Sequence, residues 1–150
     1  MNILIVGGAG YIGGALTDIL TKSDHNIIVY DMLLYEESYR KKIPFVYGDI
    51  RDYDKLKGHL NWADVVVWLA ALVGDPACAL SKSLTKEINN DPVRFLSTNY
   101  NGKIIYMSSC SVYGTGEDIL TEKSKLNPLS LYAESKIEDE KRLANSNTIC

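Results

Sequence analysis

The sequence is short of several things, and each shortage removes a class of protein. No apolar run approaches the roughly 20 residues that a membrane-spanning helix needs. Met1-Asn2 places no basic residue ahead of the first apolar run, and glycine interrupts that run after Val6. It therefore reads as a buried strand and not as a signal peptide. Positive charge is in deficit, with 16 Lys and Arg against 19 Asp and Glu, for a formal net charge of −3. No basic stripe is visible, which argues against nucleic acid as the main partner. The three cysteines, Cys78, Cys110 and Cys150, are odd in number and show no C-x-x-C spacing. A reducing cytoplasm fits them better than a disulfide framework. The two histidines, His25 and His59, lie far apart with no Cys or Asp at ligand spacing, so no metal site is expected. There is no internal repeat, linker or low-complexity tract. The 150 residues, 46% hydrophobic, suit one domain with a substantial core.

What is present starts with Gly7-Gly8-Ala9-Gly10-Tyr11-Ile12-Gly13-Gly14. The apolar run Ile3-Leu4-Ile5-Val6 leads into it. Ile12, Ala15, Leu16, Ile19 and Leu20 follow at helical spacing. The glycines thus sit on a strand-to-helix turn, where backbone N–H groups and the positive end of a helix dipole face an anion. Gly7 allows the tight turn, Gly10 close approach of a pyrophosphate, and Gly13 close packing of helix on strand. A glycine-rich turn with no ligand has the same local pattern, so the remaining chain must decide.

A second apolar run, Ile27-Ile28-Val29-Tyr30, ends in Asp31. Asp31 lies about 20 residues beyond the glycines, where a dinucleotide fold places the acid that bonds the adenosine ribose. A carboxylate there repels a 2′-phosphate, so NAD is expected over NADP. Ile43 to Tyr47 reads as a third strand, held to an edge or a strand start by Pro44. Asp54 to Leu60 reads as a short helix and Asp64 to Ala71 as a doubly covered strand. Ala70 and Ala71 at its end leave room for a ligand. Leu33 to Lys42 suggests a short helix and Leu72 to Ser83 a loop. Thr85 to Leu96 is helical but interrupted at Asn89-Asn90-Asp91-Pro92. Lys103 to Met107 is a fifth strand. Asn127-Pro128 marks the start of a helix over Leu131 to Ala144, with Glu138 and Arg142 as an i,i+4 pair. Thr148-Ile149-Cys150 begins a sixth strand. The fold expected is α/β, a doubly wound, three-layer parallel sheet of the Rossmann type, with ligands beyond the carboxyl ends of its strands. Because the chain stops as a strand begins, residues 1–150 are expected to be an NAD-binding domain whose substrate domain lies outside this chain.

Tyr132 and Lys136 are four apart on the last helix and share a face. A free phenol, with a pKa of about 10, is a poor base at neutral pH. A neighbouring ammonium and an oxidised nicotinamide both favour the phenolate. Tyr132 could then exchange a proton with a substrate hydroxyl or carbonyl, with Ser109 bonding the same oxygen. Taken alone, the pair reads more readily as helix filler and a solvated charge than as a catalytic pair.

In order and spacing these segments resemble the extended short-chain dehydrogenase/reductase family of sugar-nucleotide epimerases, dehydratases and reductases. The resemblance rests on the glycine turn, Asp31, Gly48-Asp49-Ile50-Arg51-Asp52, Leu69-Ala70-Ala71, Ser108-Ser109-x-Ser111-Val112-Tyr113-Gly114 and Tyr132-x-x-x-Lys136. It implies that Gly7, Gly10, Tyr11, Ile12 and Gly13 hold the pyrophosphate. It implies that Asp49 and Ile50 meet the adenine, and that Leu69, Ala70 and Ala71 line the cofactor. Ser109, Tyr132 and Lys136 would form the catalytic triad, Lys136 also holding the nicotinamide ribose. Asn89 matches the family's helix asparagine more loosely. The family's 4,6-dehydratases carry an acid where this chain has Ser111, so the resemblance favours a 4-epimerase or keto-sugar reductase. It also implies a nucleotide-sugar substrate and a homodimer built on the helices that carry Asn89 and Tyr132. Cys110, beside Ser109, is expected to be a small buried residue rather than a reactive thiol. Glu117, Asp118 and Glu122 are expected on a solvated loop.

Overall fold

The computed structural model describes residues 1–115 and 119–150, so Glu117 and Asp118 lie outside the described residues. β1 (Asn2–Val6), α1 (Tyr11–Leu20) and β2 (Asn26–Asp31) form the first crossover unit. β3 (Phe45–Tyr47), α2 (Tyr53–Trp62) and β4 (Val65–Trp68) follow. Next come α3 (Asp75–Leu80), α4 (Lys82–Thr85), a π-helical turn (Lys86–Asn90) and α5 (Asp91–Asn99). β5 (Lys103–Tyr106), a 3-10 turn (Cys110–Tyr113), α6 (Leu131–Leu143) and β6 (Thr148–Ile149) complete the chain.

The strands form one parallel sheet in the order β3-β2-β1-β4-β5-β6. The order reverses between β1 and β4, where the crossovers leave to opposite sides and open a crevice. Successive side chains of a strand face opposite sides of the sheet. Leu4, Val66, Trp68 and Ile104 accordingly pack with Leu56 and Leu60 of α2, Val93 and Leu96 of α5 and Leu143 of α6. Ile3, Ile5, Val29, Val65 and Val67 form the opposite cluster, against Leu16 and Leu20 of α1. All four residues of β4 are buried, as a run without polar alternation requires.

Four local expectations change. Residues 33–42 form turns and not a helix, with Leu33 at φ 53°. Lys41 ties that segment to α1 by donating to Thr17 Oγ1 at 2.9 Å and Asp18 Oδ1 at 2.7 Å. The segment read as a loop after Leu72 contains α3, which starts after Gly74 with Pro76 in its first turn, where no N–H is needed. Asn89 to Pro92 does not interrupt the helical path. The chain widens into the π turn just before Pro92, which relieves the bond that proline cannot donate. Finally, α6 is capped by Ser130, whose Oγ accepts from Ala133 N at 3.2 Å, and not by Asn127-Pro128. Pro44 precedes β3, which is an edge strand.

Candidate active site

Gly7 has a left-handed backbone, φ 81°, and a Cβ there would lie 2.5 Å from Ala70 N. The turn after β1 therefore presses directly on the end of β4. A Cβ at Gly13 would lie 2.5 Å from Gly8 Cα, so the third glycine closes the helix onto the turn itself. Gly10 differs. It is exposed, caps α1 without a side-chain bond, and its Cβ would meet only Gly7 O at 3.5 Å. The protein has room for a side chain there, so the open space belongs to whatever lies against the helix start. The first N–H groups of α1 have no carbonyl one turn earlier. Tyr11 and Ile12 are exposed beside them.

Asp31 stands at the rim of this turn, with Oδ2 accepting from Ala9 N at 3.0 Å and Oδ1 from Leu33 N at 2.8 Å. Each oxygen keeps acceptor capacity for a ribose hydroxyl. Asp49 is clasped by Arg51, with Nε at 3.0 Å from both carboxylate oxygens, and that guanidinium holds the Asp49 carboxyl below its usual range. Ile50 is buried in the core, so only its backbone can meet a base. Leu69, Ala70 and Ala71 are half-buried as the chain leaves β4 beside Gly7. Asn89 is buried and turned to the protein: Oδ1 accepts from Leu72 N at 2.7 Å, and Nδ2 donates to Leu72 O at 3.1 Å. Its amide fixes the loop that follows Ala71.

Ser109 follows β5 and caps the 3-10 turn, and its hydroxyl lies 2.8 Å from that of Ser111. Tyr132 is half-buried in the first turn of α6, which packs on the 3-10 turn after Ser109. Lys136 is buried, with its ammonium 5.5 Å from the Tyr132 ring centroid. It donates to Tyr106 Oη at 3.1 Å and to Met107 O at 2.8 Å, which among the described residues leaves one of its three donors unused. Burial lowers the Lys136 pKa to about 8, against the opposing pull of Asp139 and Glu140. Burial, with Cys78 and Asp75, pushes the Tyr132 phenol above its usual value. The protein's own groups therefore keep Tyr132 protonated at neutral pH. Cys110 is exposed and Cys78 buried, the reverse of the expectation for Cys110. Glu122 is exposed, as a solvated loop requires.

Three residues here were not singled out from the sequence. Tyr106 Oη donates to Asp139 Oδ2 at 2.7 Å, and Asn90 Nδ2 donates to Asp139 Oδ1 at 2.8 Å. All three are buried. Asp139 sits in the charged run Glu138-Asp139-Glu140-Lys141-Arg142, which looks like a solvated face. Its spacing from Lys136 and Tyr132, i+3 and i+7, was the available signal.

The family model described as "NAD dependent epimerase/dehydratase family" matches residues 3–148. A UDP-glucose 4-epimerase of Lactobacillus helveticus is 29% identical, over 96% of this chain and 46% of its own length. An inverting UDP-N-acetylglucosamine 4,6-dehydratase of Campylobacter jejuni is 27% identical, over 99% of this chain and 44% of its own. Among solved structures, UDP-glucose 4-epimerase from Brucella ovis in complex with NAD superposes with a TM-score of 0.87 at 26% identity, covering 96% of this chain and 47% of that one. The chain spans about half the length of the curated relatives it matches. An open helix start, an Asp31 carboxylate anchored by two backbone N–H groups and a lysine–tyrosine pair beyond β5 agree with these likenesses: the chain belongs to the NAD-dependent epimerase/dehydratase family.

Proposed function

We propose that residues 1–150 form the NAD-binding and acid–base domain of a nucleotide-sugar enzyme that transfers a hydride at a sugar carbon, of 4-epimerase or keto-sugar reductase type. The observation that carries this reading is the Asp31 carboxylate, held by two backbone N–H groups at the mouth of the glycine turn. It is preorganised to accept from ribose hydroxyls and to repel a 2′-phosphate. Gly7, Gly10, Tyr11, Ile12 and Gly13 would hold the pyrophosphate. Asp49 and the Ile50 backbone would meet the adenine, and Leu69, Ala70 and Ala71 would line the bound molecule. Asn89 supports this wall through Leu72. Bound NAD supplies reversible hydride acceptance.

The chain's residues handle the proton. Tyr132 would take it from the sugar hydroxyl as that carbon is oxidised and return it on reduction. Lys136 would bring positive charge to the Tyr132 ring and use its remaining N–H on the nicotinamide ribose. Ser109, oriented by Ser111, would bond the reacting oxygen. Ser111 offers a hydroxyl where elimination of water needs a carboxyl, which favours epimerisation or reduction over dehydration. The same reading gives a homodimer through the helical segments that carry Asn89 and Tyr132, and a cytoplasmic location. Among the described residues, no helix is long and apolar enough to cross a membrane.

Calorimetry tests the binding half: NAD should bind the chain, NADP at least ~10-fold more weakly, and Asp31→Ala should erase the preference. Equal affinity for the two dinucleotides would defeat the reading. Tyr132→Phe should retain NAD while abolishing turnover of a nucleotide sugar in the complete enzyme.

A further inference from the structure

Lys136 is surrounded by groups that its role at the Tyr132 ring does not account for. A hydrogen-bonded line runs from its ammonium through Tyr106 Oη, at 3.1 Å, to Asp139 Oδ2, a further 2.7 Å away. It ends at Asn90, whose Nδ2 bonds both Asp139 Oδ1, at 2.8 Å, and Ser135 O, at 3.0 Å. Asp139 is wholly buried, so the line does not lead to solvent and is no route for protons. A buried carboxylate with no outlet costs stability unless a nearby charge compensates it. Here the cation is Lys136, and the phenol between them is oriented by accepting from one and donating to the other.

We propose that Asp139 is a positioning residue for the active site: acting through Tyr106, it is the buried counter-ion that keeps Lys136 charged and in place against the Tyr132 ring. Asn90 orients the carboxylate. The proposal rests on Lys136 serving the chemistry described above. Removing the carboxylate leaves burial unopposed by its strongest partner, and Lys136 then titrates nearer neutrality. The other groups around the pair are Glu138, Glu140 and Tyr132 on α6, Cys78 on α3 and Cys150 after β6. Among them Glu140 is the second carboxylate acting on Lys136, but its Oε1 is engaged by Ser108.

The test is a pH titration of the Lys136 side chain in this chain, followed by NMR of isotope-labelled lysine and assigned through Lys136→Met. Asp139→Asn should lower the Lys136 midpoint by about 1–2 pH units. Tyr106→Phe should lower it too, and Asp139→Glu should restore most of the loss. A second readout is NAD affinity against pH, whose alkaline decline should move down with the Lys136 midpoint. If Asp139→Asn does not fold, Tyr106→Phe decides alone. An unchanged midpoint in a folded variant overturns the proposal even if NAD binds normally. A shifted midpoint in a chain that binds no NAD supports the counter-ion assignment and rejects the function proposed for the site.

Discussion

Gly7 and Gly10 belong to one motif but answer to different constraints. Gly7 combines φ 81° with a backbone neighbour 2.5 Å from its would-be Cβ. Gly7→Ala should therefore lose more than ~2 kcal/mol of stability, from left-handed strain and displacement of the β4 end. Gly10 has an ordinary extended backbone and no contact tighter than 3.5 Å. Gly10→Ala should change stability by less than ~1 kcal/mol. It should still weaken NAD binding at least ~10-fold, because the methyl group would enter the space proposed for the phosphates. Urea unfolding and calorimetry on both variants check this; equal stability losses would mean that protein packing alone explains both glycines. At this scale the sequence is most informative where backbone geometry demands one residue type at one spacing, as with Gly7 against Ala70 and Gly13 against Gly8. It is least informative where meaning comes from a distant partner. Asp139 meets Tyr106 across 33 positions and Asn90 across 49, and its neighbours in the chain disguise it as surface.

The interface of β5 and α6 shows what such a partner costs. Burial raises the Asp139 pKa to about 6 and lowers that of Lys136 to about 8. The folded state binds the Asp139 proton more tightly than the unfolded state, so stability falls as pH rises from the usual carboxylate range to about 6. The unfolded state holds the Lys136 proton to higher pH, so stability recovers as pH rises above about 8. Between those values both charges are present and the element pair is at its least stable. Asp139→Leu alone should cost about 3–5 kcal/mol by stranding the ammonium. Combined with Lys136→Met and Tyr106→Phe, it should return to within ~1 kcal/mol of the parent or exceed it. The advantage of the triple variant should be greatest near neutral pH, measured by urea unfolding across pH. A triple variant as unstable as the single one would show that the polar line holds the elements together. The neighbouring connection also shows why α3 escaped notice in the sequence. Its six residues are too few for a periodic face, and it is held by tertiary contacts: Cys78 is buried, and Thr85 Oγ1 donates to Cys78 O at 2.8 Å.

Over the whole molecule, the topology follows from the run of apolar segments, because parallel strands joined by helices permit few arrangements. The π turn is the part that no apolar count could foresee, since it arises from Pro92 meeting a helix that must also turn Asn89 and Asn90 inward together. The carboxyl ends of β1, β2 and β4 meet at the point where the strand order reverses; they are separate in sequence and neighbours only in the sheet. A dinucleotide lying across them links elements that unfolding would separate, so its binding free energy adds to the stability of the fold as a unit. NAD at ~100 times its dissociation constant should add about 2.7 kcal/mol. For a domain of this size that raises Tm by about 5–10 °C. NADP at the same concentration should give a much smaller rise, and Asp31→Ala should bring the two rises together. Differential scanning calorimetry measures all four conditions; an NAD-induced rise that persists undiminished in Gly10→Ala would place the bound molecule somewhere other than the mouth of the glycine turn.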